Sequence, residues 1–112
     1  MSSPFLLWSL RPADIASLTF QELRSGVEIH VLHEAPDGGK TAILRYAAGA
    51  EVPAHRHDGY EYVFVLEGEQ GDERGTYGVG SFVVNEPGLT HRVRSASGCV
   101  VLIIWQRPVV FV

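Results

Sequence analysis

The sequence is poor in cysteine. Cys99 is the only one among 112 residues, so no disulfide can form within the chain. Nothing in the cysteine content points to an oxidising compartment, and we expect a cytoplasmic protein. A single thiol at the start of an apolar segment is typical of core packing.

Long apolar runs and basic residues are also scarce. No run approaches the roughly 20 apolar residues that a membrane helix needs. The N-terminal segment MSSPFLLWSLRPAD lacks the basic start and small-residue cleavage site of a signal peptide. Lys and Arg number 9 against 13 Asp and Glu, a net charge of -4. Because affinity for nucleic acids depends on cationic side chains, neither a nucleic-acid partner nor a membrane is expected.

Helical periodicity is the third feature that this chain has little of. Only RPADIASLTFQELRSG, residues 11–26, allows a helical turn. Elsewhere, short runs rich in Val, Ile, Tyr and Phe alternate with Gly, Pro and Asp clusters, which predicts an all-β sandwich or barrel. The predicted strands are residues 27–34, 41–47, 60–66, 81–85, 90–94 and 99–106, with shorter ones near 20–23 and 76–79.

The length predicts a single domain spanning residues 1–112. A chain of 112 residues with 46% hydrophobic content suffices for one core and not for two, and the strands place that core at about residues 20–107. The last long strand is apolar in both phases, and Tyr60, Tyr62 and Phe64 form a second apolar face. Such faces predict a homodimer whose contact includes the N-terminal and C-terminal segments. The alternative is a two-sheet core that buries both faces within one chain.

One carboxylate lies where apolar side chains are expected. Glu61 shares its phase in a predicted strand with Val63 and Val65, so its side chain points toward the interior. Burying an unpaired carboxylate is unfavourable unless its pKa rises or a cation lies beside it. A bound cation would remove this cost.

Three histidines can join Glu61 in such a site. His55 and His57 are two residues apart, so in extended backbone both imidazoles point to the same side. His91 shares its phase with Val93 and therefore also faces inward. Three imidazoles and a carboxylate suit Zn, Fe, Mn, Ni or Cu better than Ca or Mg, which prefer oxygen ligands. The predicted metal ligands are His55, His57, Glu61 and His91.

The spacing of these residues resembles the two motifs of the cupin superfamily. The first motif, Gly, five residues, His-x-His, three residues, Glu, six residues, Gly, is matched by Gly49, His55, His57, Glu61 and Gly68. The second motif is matched by Gly80, Gly88 and His91. Glu86 stands where the second motif has a proline, and Ser95 stands where it has an asparagine. These departures affect turn and structural positions and leave the four ligand positions intact.

The resemblance implies an all-β fold, the double-stranded β-helix or cupin jelly-roll barrel, with the metal inside near one mouth. More narrowly, the short motifs VLEG, DE, PG..H and GC in the C-terminal half resemble those of the cupin domain of ChrR-type anti-sigma factors. This resemblance implies a zinc-binding domain. The sigma-binding part of those proteins uses its own His and Cys zinc ligands. Because Cys99 is the sole cysteine, this chain resembles the cupin half alone.

Three functions remain open on this basis. The preferred one is a stand-alone, metal-binding ChrR-like cupin that holds zinc, or else Fe, Mn or Ni, and senses a small molecule or an oxidant. The second is a metal-dependent dioxygenase acting on a diketone or another chelating substrate. The third is a purely structural ion. No catalytic acid or base is identified, since Arg45, Tyr46 and Glu51 are more simply read as strand or turn residues.

Overall fold

A computed structural model describes residues 5–112. Residues 1–4, which begin both the predicted domain and its N-terminal apolar segment, lie outside this range. Within it, one short helix precedes ten strands. They are α1 (Pro12–Ala16), β1 (Gln21–Arg24), β2 (Val27–Glu34), β3 (Lys40–Tyr46), β4 (Ala50–His57), β5 (Glu61–Asp72), β6 (Gly75–Gly78), β7 (Phe82–Asn85), β8 (Thr90–Ser95), β9 (Cys99–Trp105) and β10 (Val109–Phe111).

The strands form two antiparallel sheets that share β5. The first sheet runs β1, β2, β3, β9 and the N-terminal half of β5, with β7 beside it. The second contains the C-terminal half of β5, with β6, β8, β4 and β10. The sheet curls on itself, and the result is the jelly-roll barrel that the sequence predicts.

β5 is long because it passes from one sheet to the other. Its register shifts between Val65 and Glu67, and Gly68 follows with φ 70°. A Cβ at Gly68 would collide with the carbonyl oxygen of Gly98, so this bend requires glycine. The sequence prediction ended this strand at residue 66 and treated EGEQGDERG as a turn. That was wrong, because most of this segment stays extended and only Glu73 and Arg74 form the turn.

β4 is a strand that the sequence prediction missed. The segment AAGAEVPA, which contains Pro53, was taken as a turn because of its glycine and proline. The register of β4 against β8 shifts between Val52 and His55, and this bulge accommodates the proline. Beyond the bulge His55 and His57 are buried and Arg56 is exposed. The bulge therefore sets which side chains of β4 enter the barrel.

The core lies between the inner faces of the two sheets. Its fully buried members include Val27, Val63, Val65 and Val101. A smaller cluster of Ile15, Ile43 and Val100 lies on the outer face of the first sheet. Ile15 belongs to α1, which begins at Pro12, a favoured first helical residue. The N-terminal segment thus covers part of the outer apolar face of β9.

The apolar C-terminal segment pairs within its own chain. β10 lies antiparallel to β4, with Val109 opposite His57 and Phe111 opposite His55. The ring of Phe111 lies 5.9 Å from that of His55, and the Arg24 guanidinium lies 4.7 Å above it. The sequence analysis placed this segment in a dimer contact; the structure gives it an intrachain partner. No helix of residues 5–112 is long and apolar enough to cross a membrane.

Candidate metal centre

Three predicted ligands meet at one point inside the barrel. His55 and His57 lie on β4, and the register places His55 opposite His91 of β8. All three are buried, with 2–4% of their surface exposed. One ring nitrogen from each lies within 4.8 Å of the others. The Nε2 atoms of His57 and His91 are 2.9 Å apart.

Hydrogen bonds orient two of these rings. Nδ1 of His55 donates to the Pro53 carbonyl oxygen at 2.8 Å, so the bulge that holds the proline also fixes the ring. Nδ1 of His91 donates to Oδ2 of Asp72 at 2.9 Å. With Nδ1 protonated, each ring keeps its lone pair on Nε2. Metal-bound histidines in proteins have the same arrangement.

The electrostatics of the centre suit metal binding. Burial, together with the neighbouring rings of His91 and His55, lowers the pKa of His57 to about 4. Burial also lowers the pKa of His55. Both rings are therefore neutral at pH 7, as metal ligation requires. Metal–nitrogen bonds of about 2.1 Å place adjacent ligand nitrogens about 3.0 Å apart in an octahedral site and about 3.4 Å apart in a tetrahedral one. The 2.9 Å between the Nε2 atoms of His57 and His91 is close to the octahedral value.

Glu61 lies beside the three histidines with partners of its own. Its Oε1 is 3.7 Å from Nε2 of His57. Asn85 Nδ2 donates to Oε1 at 2.8 Å, and Trp105 Nε1 donates to Oε2 at 2.6 Å. Burial raises the pKa of Glu61, and these two hydrogen bonds partly offset that effect. Among the described residues, the group joined within 4.8 Å consists of the histidines, and Glu61 contacts it at His57.

An ionic network around the buried carboxylate of Asp72 supports the centre from outside. Asp72, at the end of β5, accepts hydrogen bonds from His91, from Arg74 Nε at 3.0 Å and from the Tyr77 hydroxyl at 2.9 Å. Arg74 also donates to Oδ1 of Asn85 at 2.7 Å. Burial disfavours the Asp72 carboxylate, but the hydrogen bonds from Arg74 and His91 outweigh it and hold its pKa well below the usual range. This network connects the partner of His91 to the partner of Glu61.

Sequence reasoning missed all four supporting residues. Asp72 and Arg74 lie in a segment taken for a turn, Asn85 was read only as a strand end, and Trp105 was read only as an apolar residue of the last long strand. Asp72 two residues before Arg74 at a turn was the one local signal, since an aspartate often binds the backbone N–H two residues on, as Asp72 does with Arg74. The remaining histidines lie apart from the centre, as expected. His30 lies 2.8 Å from the Thr19 carbonyl oxygen, and His33 lies on the same strand, β2.

A cavity of about 350 Å³ opens beside the metal centre. His55 and Glu61 form part of its wall, and most of the remaining wall is apolar. The apolar lining includes Leu44, Val52, Ile103, Trp105 and Phe111. This volume lies at the small end of the range for pockets that bind small molecules. The arrangement therefore offers space for a compact ligand next to the ring of a predicted metal ligand.

Comparison with protein families gives a clear assignment. The family model of the ChrR cupin-like domain matches residues 11–109. The chain belongs to this family. A comparison with curated proteins found no match for this ChrR-like cupin.

Solved structures agree with the fold. A chain of the complex of Rhodobacter sphaeroides SigE with the anti-sigma ChrR is 25% identical, with a TM-score of 0.73 over 80% of this chain and 50% of that one. An acetylacetone dioxygenase from Acinetobacter johnsonii is 17% identical, with a TM-score of 0.83 over 100% of this chain and 80% of that one. An RmlC-like cupin protein from Ralstonia eutropha is 19% identical, with a TM-score of 0.75 over 91% and 69%. The ChrR-like cupin thus spans half the length of the first of these chains.

Proposed function

We propose that this ChrR-like cupin binds a divalent transition metal through His55, His57, Glu61 and His91 and presents it to a small molecule. The observation that carries the proposal is the convergence of three buried imidazoles within 4.8 Å. Neutral imidazoles that face one another in a buried site offer their nitrogen lone pairs to a cation. Three nitrogen ligands and one oxygen ligand favour zinc, with Fe, Mn or Ni as alternatives.

The chain's own residues would position the ligands and exclude water. Pro53 and Asp72 orient two of the rings, and Asn85 and Trp105 hold the Glu61 carboxylate. When bound, the metal would supply a Lewis acid that attracts oxygen atoms of a ligand. The apolar cavity wall limits the water that competes for the same position.

For the role of the site, we propose the sensing of a small molecule or an oxidant. The support is the cavity beside His55, together with the family membership and the likeness to a chain of a complex between a sigma factor and an anti-sigma protein. This chain matches only half of that one. A protein partner such as a sigma factor therefore belongs to the proposal alone. The cytoplasmic location stays a prediction from the sequence.

A metal-dependent dioxygenase is the second candidate. The same cavity favours it, since a chelating substrate such as a diketone would lie against both His55 and Glu61. Tight zinc binding without oxygen consumption would support sensing. Bound iron with oxygen uptake after addition of acetylacetone would support the dioxygenase.

Metal content tests the common core of both candidates. We expect protein purified without added metal to contain an equimolar divalent ion by mass spectrometry. His57→Ala should lose most of it, and Glu61→Gln should bind it more weakly, because each variant removes one ligand. His30→Ala is the matched control, since His30 lies outside the centre. Unchanged metal content in His57→Ala would show that the proposed centre is wrong.

We also propose a homodimer formed through the outer face of the first sheet. Five exposed residues and the half-buried Tyr62 form what we name the outer apolar patch: Tyr60, Tyr62, Phe64, Phe82, Val84 and Ile104. The rings of Tyr62 and Phe82 stack at 6.2 Å between centroids. The patch contains no charged residue, so a second copy of the same patch is a complementary partner.

A further inference from the structure

Two buried polar side chains in the cavity wall are not used by the metal centre. They are Tyr46, at the end of β3, and Gln70, in the second half of β5. Only 5% of Tyr46 and 7% of Gln70 is exposed. Both line the cavity whose wall also contains His55 and Glu61. Neither belongs to the network around Asp72.

The hydrogen bonds of these two side chains are incomplete. Nε2 of Gln70 lies 3.5 Å from the Tyr46 hydroxyl, a long contact. Among residues 5–112, the hydroxyl hydrogen of Tyr46 has no acceptor and Oε1 of Gln70 has no donor. No side-chain oxygen of the described residues is sealed away without a partner, so Oε1 of Gln70 keeps some accessible surface, and Gln70 lines the cavity. The pair therefore presents one donor and one acceptor to whatever fills the cavity.

The protonation of Tyr46 preserves the donor. Burial raises the pKa of this phenol well above its usual range, so it stays neutral at physiological pH. A ligand hydroxyl complements the pair, since it can accept from the Tyr46 hydroxyl and donate to the Gln70 carbonyl. In apolar surroundings such partners are strongly preferred to none.

We propose that Tyr46 and Gln70 form a recognition subsite for the hydroxyl group of a small, otherwise apolar ligand that chelates the metal at its other end. This assignment rests on the proposed metal function. The ligand must span from the metal centre at His55 to the Tyr46 and Gln70 pair within about 350 Å³. The substrate or effector class is thus a hydroxylated oxygen chelator with an apolar body.

Binding of matched chelators to the Co(II)-loaded full chain tests the subsite. The probes are alkyl hydroxamic acids and their ω-hydroxy counterparts of equal chain length, titrated calorimetrically. At the length that fits best, we expect the hydroxy compound to bind wild-type protein about tenfold more tightly than its alkyl partner, the effect of one good hydrogen bond. Tyr46→Phe should keep its Co(II) and lose this preference. Gln70→Leu should reduce the preference for the hydroxy compound in the same way, and it replaces Tyr46→Phe in the test if that variant does not fold.

The control is Tyr62→Phe, which removes the same oxygen atom from the outer apolar patch. It should keep the full preference. Equal binding of both members of every pair by wild-type protein would overturn the subsite while leaving the metal function intact. A retained preference in both Tyr46→Phe and Gln70→Leu would do the same. Failure of the wild-type chain to bind Co(II) would overturn the metal function and, with it, this ligand class.

Discussion

At the scale of single residues, the orientation of His91 depends on one carboxylate. Asp72 accepts the Nδ1 hydrogen of His91 and is itself held by Arg74 and Tyr77. Asp72 is 4% exposed, and its hydrogen bond to His91 is buried away from water. Such a partner fixes the tautomer of the ring and raises its basicity toward a metal.

Replacing Asp72 by Asn should therefore weaken metal binding without removing a ligand. We expect a loss of about 10–100-fold in affinity, the usual effect of losing the hydrogen-bond partner of a ligating histidine. Competition with a chromophoric chelator measures it. Asp58→Asn is the control, because Asp58 makes only an exposed pair with Arg56. Equal affinities in Asp72→Asn and wild-type protein would show that Asp72 does not act on the metal.

Cys99 is the second residue whose surroundings determine its chemistry. It is 4% exposed and lies in the core cluster. Burial raises the pKa of its thiol from 9.0 to about 11. The folded protein therefore holds this proton more tightly than the unfolded chain does.

The pH dependence of stability follows from that difference. The contribution of Cys99 is complete below pH 9, the ordinary thiol value, and is lost as the pH rises toward 11. We expect the free energy of unfolding to fall by up to about 1.4 kcal/mol per pH unit in this window. Urea denaturation across the window measures it. Cys99→Ala should show a smaller decrease, whereas parallel curves would contradict the assignment to Cys99.

At the scale of elements, β5 connects the parts of the site. Its first half carries Glu61, and its second half carries Gln70 and Asp72. The bend at Gly68 moves the strand from the first sheet to the second, so that Glu61 and Gln70 line one cavity and Asp72 contacts His91. The positive φ and the closeness of Gly98 leave no room for a side chain.

Gly68→Ala should destabilise the protein by about 2 kcal/mol or more, because left-handed strain adds to a backbone clash. Substitutions at two other glycines distinguish the backbone strain from the clash. Gly49 has φ 81° but open space around it, so Gly49→Ala should cost about 1 kcal/mol. Gly78→Ala, with open space and no positive φ, should be close to neutral. Thermal unfolding gives the order, and a Gly68→Ala variant as stable as Gly78→Ala would contradict the bend argument.

At the scale of the whole molecule, the two faces of the first sheet differ. The inner face is core, while the outer face is covered by α1 near Ile43 and Val100 and bare at the outer apolar patch. Phe82, 60% exposed, is the most exposed member of that patch. Large bare apolar surfaces usually mark an interface.

Sedimentation should therefore show a species of about twice 12.3 kDa at micromolar concentration. Phe82→Glu should shift it to the monomer, because charge would be buried in the contact. Val112→Glu tests the C-terminal segment, which the sequence analysis placed in the same contact. A wild-type species of 12.3 kDa would refute the dimer, and an unaffected Val112→Glu dimer would remove that segment from the contact.

Much of the centre follows from spacing along the chain. His55 and His57 face one side because side chains two apart in extended backbone must do so, and Glu61 faces inward with Val63 for the same reason. The alternation also predicted most strands of the barrel. It failed at β4, where a bulge absorbs Pro53, and in β5, where Gly68 lets a glycine-rich segment stay extended.

The sequence by itself determined the family, through the spacing of its motifs. It also determined the barrel and the inward direction of the four predicted ligands, since these follow from the alternation of side chains along extended backbone. Only the tertiary structure decided what those ligands touch. Glu61 meets Asn85 and Trp105, and His91 meets Asp72, across 19 to 44 residues of chain. Such meetings depend on which strands pair and where β5 bends, and no local spacing encodes them. For the same reason the pairing of Tyr46 with Gln70 in the cavity wall emerges only from the folded barrel.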